Sequence, residues 1–301
     1  VCELLANLEP VLRGVPAAPL EIGRLLQSRF RLLGAKGIVG MALAGIDMAA
    51  WDALAKAERQ PLARALGADL IRIPAYNSCG LGLIGPNAAP AEAEALVAAG
   101  FKAIKVRLGY PDLATDLAVV RAVKAAIGDG IHLMSDYNQG LSVPEAEHRV
   151  QALADEGLAW IEEPCLAHDY PGYARVRARS TVPIQMGENW WAPSEMATSL
   201  HFGASDLGMP DAMKIGGVSG WLQAAALAES AGMPISTHLF PEVSVHLMAA
   251  TPTRHWLEFV DWASPILAQP MAIEDGMASP RDAAGTGIEW NEAAIGRFLA
   301  H

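Results

Sequence analysis

Residues 131–164, IHLMSDYNQGLSVPEAEHRVQALADEGLAWIEEP, contain one full period of the pattern that decides the fold. IHLMSDYN is an apolar run of about one strand's length. VPEAEHRVQALADEG then reads as a helical stretch ending at a glycine, the expected helix stop. AWIEEP opens the next run. Working outward, the same rhythm starts near residue 71 and adds IRIPAYNS, KAIKVRL, VPIQMGEN, DLGMPDAMK, MPISTHL and HWLEFV, eight runs in all. Helical segments such as PAEAEALVAAG, LAVVRAVKAAIG and GWLQAAALAESAG lie between them. Eight strand–helix alternations predict the α/β class and a (β/α)8 TIM-type barrel. No Gly-rich phosphate fingerprint follows the first strand, so a doubly wound nucleotide-binding sheet is the weaker alternative.

Residues 1–70 read as helical, with Leu4, Leu5, Leu8, Val11 and Leu12 at helical spacing and a second periodic stretch in GMALAGIDMAAWDALAKA. The tail, 262–301, is punctuated by Pro and Gly and is expected to pack back on those helices. The 301 residues are 52% hydrophobic and only 18% charged, with mean hydropathy +0.22, which excludes a disordered chain. A net charge of −11 argues against nucleic acid as a general partner. Three cysteines without a CxxC spacing read as reduced thiols of a cytoplasmic protein. No apolar run is read as approaching the roughly 18 residues of a membrane span. The start, VCELLANLEPVLRG, has no signal-peptide pattern and no initiator Met; it reads as mid-helix, so a piece of a longer chain is expected.

Polar residues stand at the C-terminal end of every run. They are Ser78; Lys105 and Arg107; Asp136 and Asn138; Glu162 and Glu163; Glu188 and Asn189; Asp211 and Lys214; His238; and Glu258. A barrel brings all these ends to one face, where active sites are built. Asp136, Glu162 and Glu188 are carboxylates on adjacent strands and suit one hard divalent ion, Mg²⁺ best, since it keeps positions for water or substrate. No His or Cys stands among them, which disfavours zinc. Asp211 and His238, on consecutive strands, suit a carboxylate-oriented imidazole base. Glu258 suits a protonated acid that donates to a developing oxyanion. Asn138 and Lys214 are supporting polar contacts, and His246 and His255 are structural. Lys105 and Arg107, two residues apart, put two cations on one strand face. Metal, cations and a His–Asp base together suit removal of a proton α to a carboxylate, where charge builds up as an enediolate.

These stretches, with AGIDMAAWDAL, GYP followed by DLAVVRAV, DYNQ, WIEEP, MGENW, MPDAMKIGGVSGW and HLF, resemble the enolase superfamily and within it the mandelate racemase subgroup, over nearly the whole chain. The resemblance implies that Asp136, Glu162 and Glu188 hold Mg²⁺ and that His238 is a base paired with Asp211. It implies further that Lys105 contacts the substrate carboxylate, that Glu258 is the electrophilic acid, and that Ser78, Asn138 and Lys214 support them. It also implies a homo-oligomer, an octamer, acting on a small carboxylate. Residues 1–70 would be the helical part of an N-terminal capping domain, 71–261 the catalytic barrel, and 262–301 a segment returning to the cap. The cap's strands and specificity loops would then lie outside this sequence.

One departure concerns the chemistry. The subgroup has Lys-x-Lys on the second strand, its second Lys being the base opposite the histidine. Here Arg107 holds that position, and a guanidinium is a very poor proton acceptor at neutral pH. Leu239 and Val260 are apolar where the racemase lines its aryl pocket. The leading expectation is a Mg²⁺-dependent racemase or epimerase-type enzyme acting on an apolar or aryl 2-hydroxy acid. The alternatives are an acid-sugar dehydratase using His238 and Asp211, a non-catalytic Mg²⁺-binding homologue, and, more weakly, a metal hydrolase.

Overall fold

The computed structural model describes residues 1–298. Four helices come first: α1 (Cys2–Leu12), α2 (Pro19–Phe30), α3 (Gly37–Ala57) and the short α4 (Leu62–Ala65). Strands and helices then alternate: β1 (Ile73–Asn77), α5 (Ala89–Ala98), β2 (Ala103–Arg107), α6 (Leu113–Ile127), β3 (His132–Asp136), α7 (Val143–Ala152), β4 (Ile161–Glu162) and α8 (Tyr170–Arg177). The series continues with β5 (Ile184–Met186), α9 (Pro193–Phe202), β6 (Leu207–Gly208), α10 (Gly217–Ala231), α11 (Pro241–Ala249) and β7 (Leu257–Phe259). The tail adds a hairpin, β8 (Ile273–Glu274) with β9 (Met277–Ala278), and α12 (Glu292–Phe298).

β1 to β6 pair in parallel in chain order, and β7 pairs in parallel with β1. The gap between β6 and β7 is filled by residues 235–238. The run MPISTHL therefore occupies the seventh barrel position, but through isolated bridges rather than a strand: Gly208 with Ile235, Asp211 with His238, and Ile235 with Arg254. Pro210 and Pro234 explain this, because each lacks the N–H that a continuous ladder needs. The barrel still closes, through Gly208 N–H to Pro234 O at 3.0 Å and Thr237 N–H to Trp256 O at 3.0 Å.

Alternation along the strands builds two cores. Ile73, Ala75, Ile104, Val106, Leu133, Ile161 and Ile184 face the helices. Tyr76, Ala103, Met134, Trp160 and Leu207 fill the inside. Helix boundaries follow local chemistry. Asp112 caps α6, accepting Thr115 N–H at 2.8 Å, and Gly128 ends it with φ +73.

Leu8, Ile22, Leu26, Phe30 and Ala50 make a small separate core under α1–α3. α3 corrects the membrane expectation: an 18-residue window of it has mean hydropathy 1.5, long and apolar enough to cross a bilayer. Alanine and glycine make up much of that helix, so it escapes notice as an apolar run. Here its Asp47 accepts Ser219 N–H at 2.9 Å and Ser219 Oγ–H at 2.6 Å, joining the helical part to the start of α10. Asp52 in turn accepts Thr286 N–H from the tail at 2.7 Å. Residues 299–301 of the expected tail lie outside the described residues.

His246 ties three regions together. Its Nδ1 accepts Ala63 N–H at 3.2 Å and its Nε2 lies 3.1 Å from Thr286 O, which calls for a neutral ring protonated at Nε2. Burial pushes this histidine from 6.5 down to about 4. The unfolded chain therefore binds the proton more readily, and this contribution to stability is complete above pH 6.5 and lost as pH falls toward 4. Urea unfolding at pH 7 and pH 5 is expected to show that His246→Gln abolishes about 2 kcal/mol of the wild-type loss of stability across that interval. An unchanged pH dependence would assign the acid sensitivity elsewhere.

Candidate active site

Alternation on β2, β3 and β4 turns Lys105, Asp136 and Glu162 inward, and the register sets Arg107 beside Asp136 and Asp136 beside Glu162. Lys105 is only 1% exposed. Its Nζ lies 2.7 Å from Glu162 Oε1, 3.0 Å from Glu258 Oε1 and 3.3 Å from Asp136 Oδ2. Burial alone would discharge this ammonium. Glu162 and Glu258 outweigh burial and hold its pKa well above the usual lysine range.

Asp136, Glu162 and Glu188 each offer an oxygen, and these oxygens lie within 4.8 Å of one another. Glu162 is pushed well above the ordinary carboxylate range by burial and then by the charge of Asp136, against the pull of Lys105. Such crowding of hard oxygen donors, with no soft ligand in the group, fits a divalent cation.

His238 faces the same cluster from the seventh barrel position. Its Nδ1 is 2.6 Å from Asp211 Oδ2, and its Nε2 is 3.3 Å from Glu188 Oε2. The other Asp211 oxygen accepts the amides of Met213 at 2.7 Å and Lys214 at 3.0 Å, which fixes the carboxylate. Burial lowers the imidazole pKa, but the Asp211 hydrogen bond and then the charges of Glu258 and Glu188 raise it to about 9.

The supporting residues fall in around this centre. Asn138 donates N–H to Asp136 Oδ1 at 2.7 Å and Nδ2–H to Asp136 Oδ2 at 3.0 Å, with φ +44. Lys214 donates to Asn189 Oδ1 at 2.8 Å and sits 5.9 Å from the Trp191 ring centre. Leu239 is half-buried and donates its N–H to Glu258 Oε2 at 2.9 Å, while Val260 is buried just past β7. Glu258 bears differently on its expected role. Burial raises its pKa, but Lys105 and His238 overcome that and hold it below the usual range, so in this arrangement it is an acceptor.

Arg107 is committed elsewhere. Its Nη2 donates to Ser78 Oγ at 3.0 Å and its Nη1 to Gly80 O at 3.1 Å, binding the guanidinium to the loop after β1. Ser78 thus meets the site through Arg107.

Four further residues support the site without a role foreseen for them. Trp160 Nε1–H donates to Glu162 Oε2 at 3.1 Å, and Gln185 Nε2–H reaches the same oxygen at 3.4 Å. Asn189 Nδ2–H donates to Glu163 at 2.9 Å and to Glu188 at 3.2 Å. Glu163 is raised to about 8 by burial and then by the charge of Glu188. Trp160 was within reach of sequence reasoning, since it stands two before Glu162 on one strand face. Gln185 reaches Glu162 from a neighbouring strand and Asn189 reaches Glu163 from just past it, contacts that left no local signal.

Comparison with known proteins finds relatives over most of the chain. Residues 88–294 match the family described as enolase C-terminal domain-like, and residues 2–67 match the mandelate racemase / muconate lactonizing enzyme N-terminal domain. L-talarate/galactarate dehydratase of Salmonella typhimurium is 33% identical over 264 residues, 87% of this chain and 66% of that protein. The chain thus spans just under two thirds of that relative's length. An enolase from alpha proteobacterium bal199, solved with bound Mg, superposes with TM-score 0.95 at 44% identity, covering 97% of this chain and 82% of that one. An enolase from Bradyrhizobium, complexed with magnesium and mandelic acid, superposes with TM-score 0.94 at 41% identity, covering 99% and 82%. The chain belongs to the mandelate racemase / muconate lactonizing enzyme group of the enolase superfamily, a group of enzymes.

Proposed function

We propose that this barrel removes the α-proton of a 2-hydroxy carboxylate with His238 as its one base, and that the product is a 2-keto acid formed by loss of water from a sugar acid. Asp136, Glu162 and Glu188 would hold one Mg²⁺, which would supply positive charge to stabilise the enediolate. Lys105 donates to the same carboxylate, where charge accumulates. Asp211 keeps Nδ1–H in place so that Nε2 of the neutral ring takes the proton. Glu188 and Glu258 favour the imidazolium that forms when the proton is taken. The imidazolium then returns its proton to the departing β-hydroxyl, water leaves, and the enol becomes the ketone. Residues 71–261 form the catalytic unit in this reading, with 1–70 as a capping part and the tail from 262 to 298 docked on it.

The observation that carries the proposal is the engagement of Arg107 with Ser78 and Gly80. With Arg107 standing where the resemblance puts the second base, two-base racemisation lacks that base, whereas elimination needs only one. The likeness to a talarate/galactarate dehydratase supports this reading. A second reading, one-sided exchange or epimerase-type action on an apolar or aryl 2-hydroxy acid, draws on Leu239 and Val260 and on the mandelic acid in the Bradyrhizobium neighbour.

Incubating 2-hydroxy acids with Mg²⁺ in D₂O is expected to yield keto acid, trapped with semicarbazide, from a sugar acid. His238→Asn is expected to slow that reaction by a factor on the order of 10³. Exchange into an aryl hydroxy acid with no keto product would favour the second reading, and no turnover of either class would overturn both. Arg107→Lys is expected to gain exchange at the face opposite His238, read by the stereochemistry of deuterium incorporation. An unchanged stereochemical course would show that Arg107 does not limit the enzyme to one face.

A further inference from the structure

The GYP–DLAVVRAV stretch has no part in the chemistry above, yet its Asp116 is fully buried on α6 and accepts four hydrogen bonds. Oδ1 takes the amides of Gly109 and Tyr110, both at 3.0 Å. Oδ2 takes the Tyr137 hydroxyl at 2.9 Å and Arg149 Nη1 at 2.6 Å. Arg149, buried on α7, also donates to Tyr110 O at 2.9 Å and to Glu145 at 2.6 Å. The Tyr110 hydroxyl accepts Gly85 N–H at 2.7 Å, reaching the loop after β1.

Every segment so gripped adjoins the site. Gly109 and Tyr110 leave β2 directly after Arg107 and Leu108, and Leu108 N–H donates to Asp136 O at 2.8 Å. Tyr137 stands between Asp136 and Asn138. The Gly85 loop is the one whose Ser78 and Gly80 hold the Arg107 guanidinium. An ion pair that only joined α6 to α7 would need none of these backbone contacts.

We propose that Asp116, paired with Arg149, is a positioning residue that sets Arg107 and the Asp136–Asn138 segment in register with each other; the metal arm of its test rests on the reading of Asp136 as a Mg²⁺ ligand. Tyr137 and Tyr110 carry its hold to the two strand ends. Groups hydrogen-bonded to metal ligands change metal affinity by about 10-fold or more, and Asp116 acts one step further out, through Tyr137 beside Asp136.

The test uses the full chain and compares Asp116→Asn with Val119→Ala, a buried change on the same helix that contacts neither strand end by hydrogen bond. Asp116→Asn is expected to weaken calorimetric Mg²⁺ binding about tenfold and to speed amide exchange at Gly109, Tyr110 and Asn138. Val119→Ala is expected to lower the melting temperature with Mg²⁺ affinity and Asn138 exchange unchanged. Equal losses in both variants, or wild-type affinity and exchange in Asp116→Asn, would overturn the proposal. Should Asp116→Asn fail to fold because Arg149 is left unpaired, Tyr137→Phe removes a single hydrogen bond. It is expected to weaken Mg²⁺ binding roughly fivefold and speed Asn138 exchange, and no change would overturn the claim. If the wild type takes up no Mg²⁺, the metal reading falls alone, and faster or unchanged Asn138 exchange in these variants still supports or overturns the positioning role.

Discussion

The Lys105 ammonium, sealed inside the barrel, is the interaction on which the rest of the site depends. A charge so deep is tolerated only where opposite charges meet it at hydrogen-bond distance. Its partners Asp136, Glu162 and Glu258 come from three different strands. They meet it only because the parallel registers hold those strand ends level and because β7 closes back on β1. A shift of one residue in any of these pairings would turn the charge outward into the layer of Ile, Val and Leu beneath the helices.

The same closeness separates the titratable groups into roles. Carboxylates outnumber the cations among them, so burial and mutual repulsion push Glu162 and Glu163 up while Lys105 draws Glu258 down. His238 is raised by the Asp211 hydrogen bond and by Glu258 and Glu188. Divergent shifts in one cleft mark it as a candidate functional site. Arg107 instead donates to Ser78 and Gly80 in the loop after β1.

Much of this was legible beforehand because strands and helices write their periods into local sequence. The polar residue at each strand end interrupts an apolar run, which is why Asp136, Glu162, Asp211, His238 and Glu258 could be picked out singly. Where the local period is weak, the reading was less accurate. MPISTHL looks like a full strand, but the prolines at 210 and 234 reduce its pairing to bridges. α3 hides its hydropathy in alanines and glycines. Gln185 and Asn189 matter through what they touch on the neighbouring strand, and a hydrogen bond across strands leaves no mark in the local sequence.

The sequence by itself determined the barrel class, the order of its strands and the kinds of group carried to one face. Side-chain alternation and helix periodicity are local properties that need no knowledge of neighbours. Only the tertiary structure decided which groups pair: Lys105 with three carboxylates, His238 with Asp211, and Arg107 with the loop after β1 instead of with the carboxylate cluster. Those choices depend on distances of a few ångströms between residues far apart in the chain, and they are set by barrel closure and strand register.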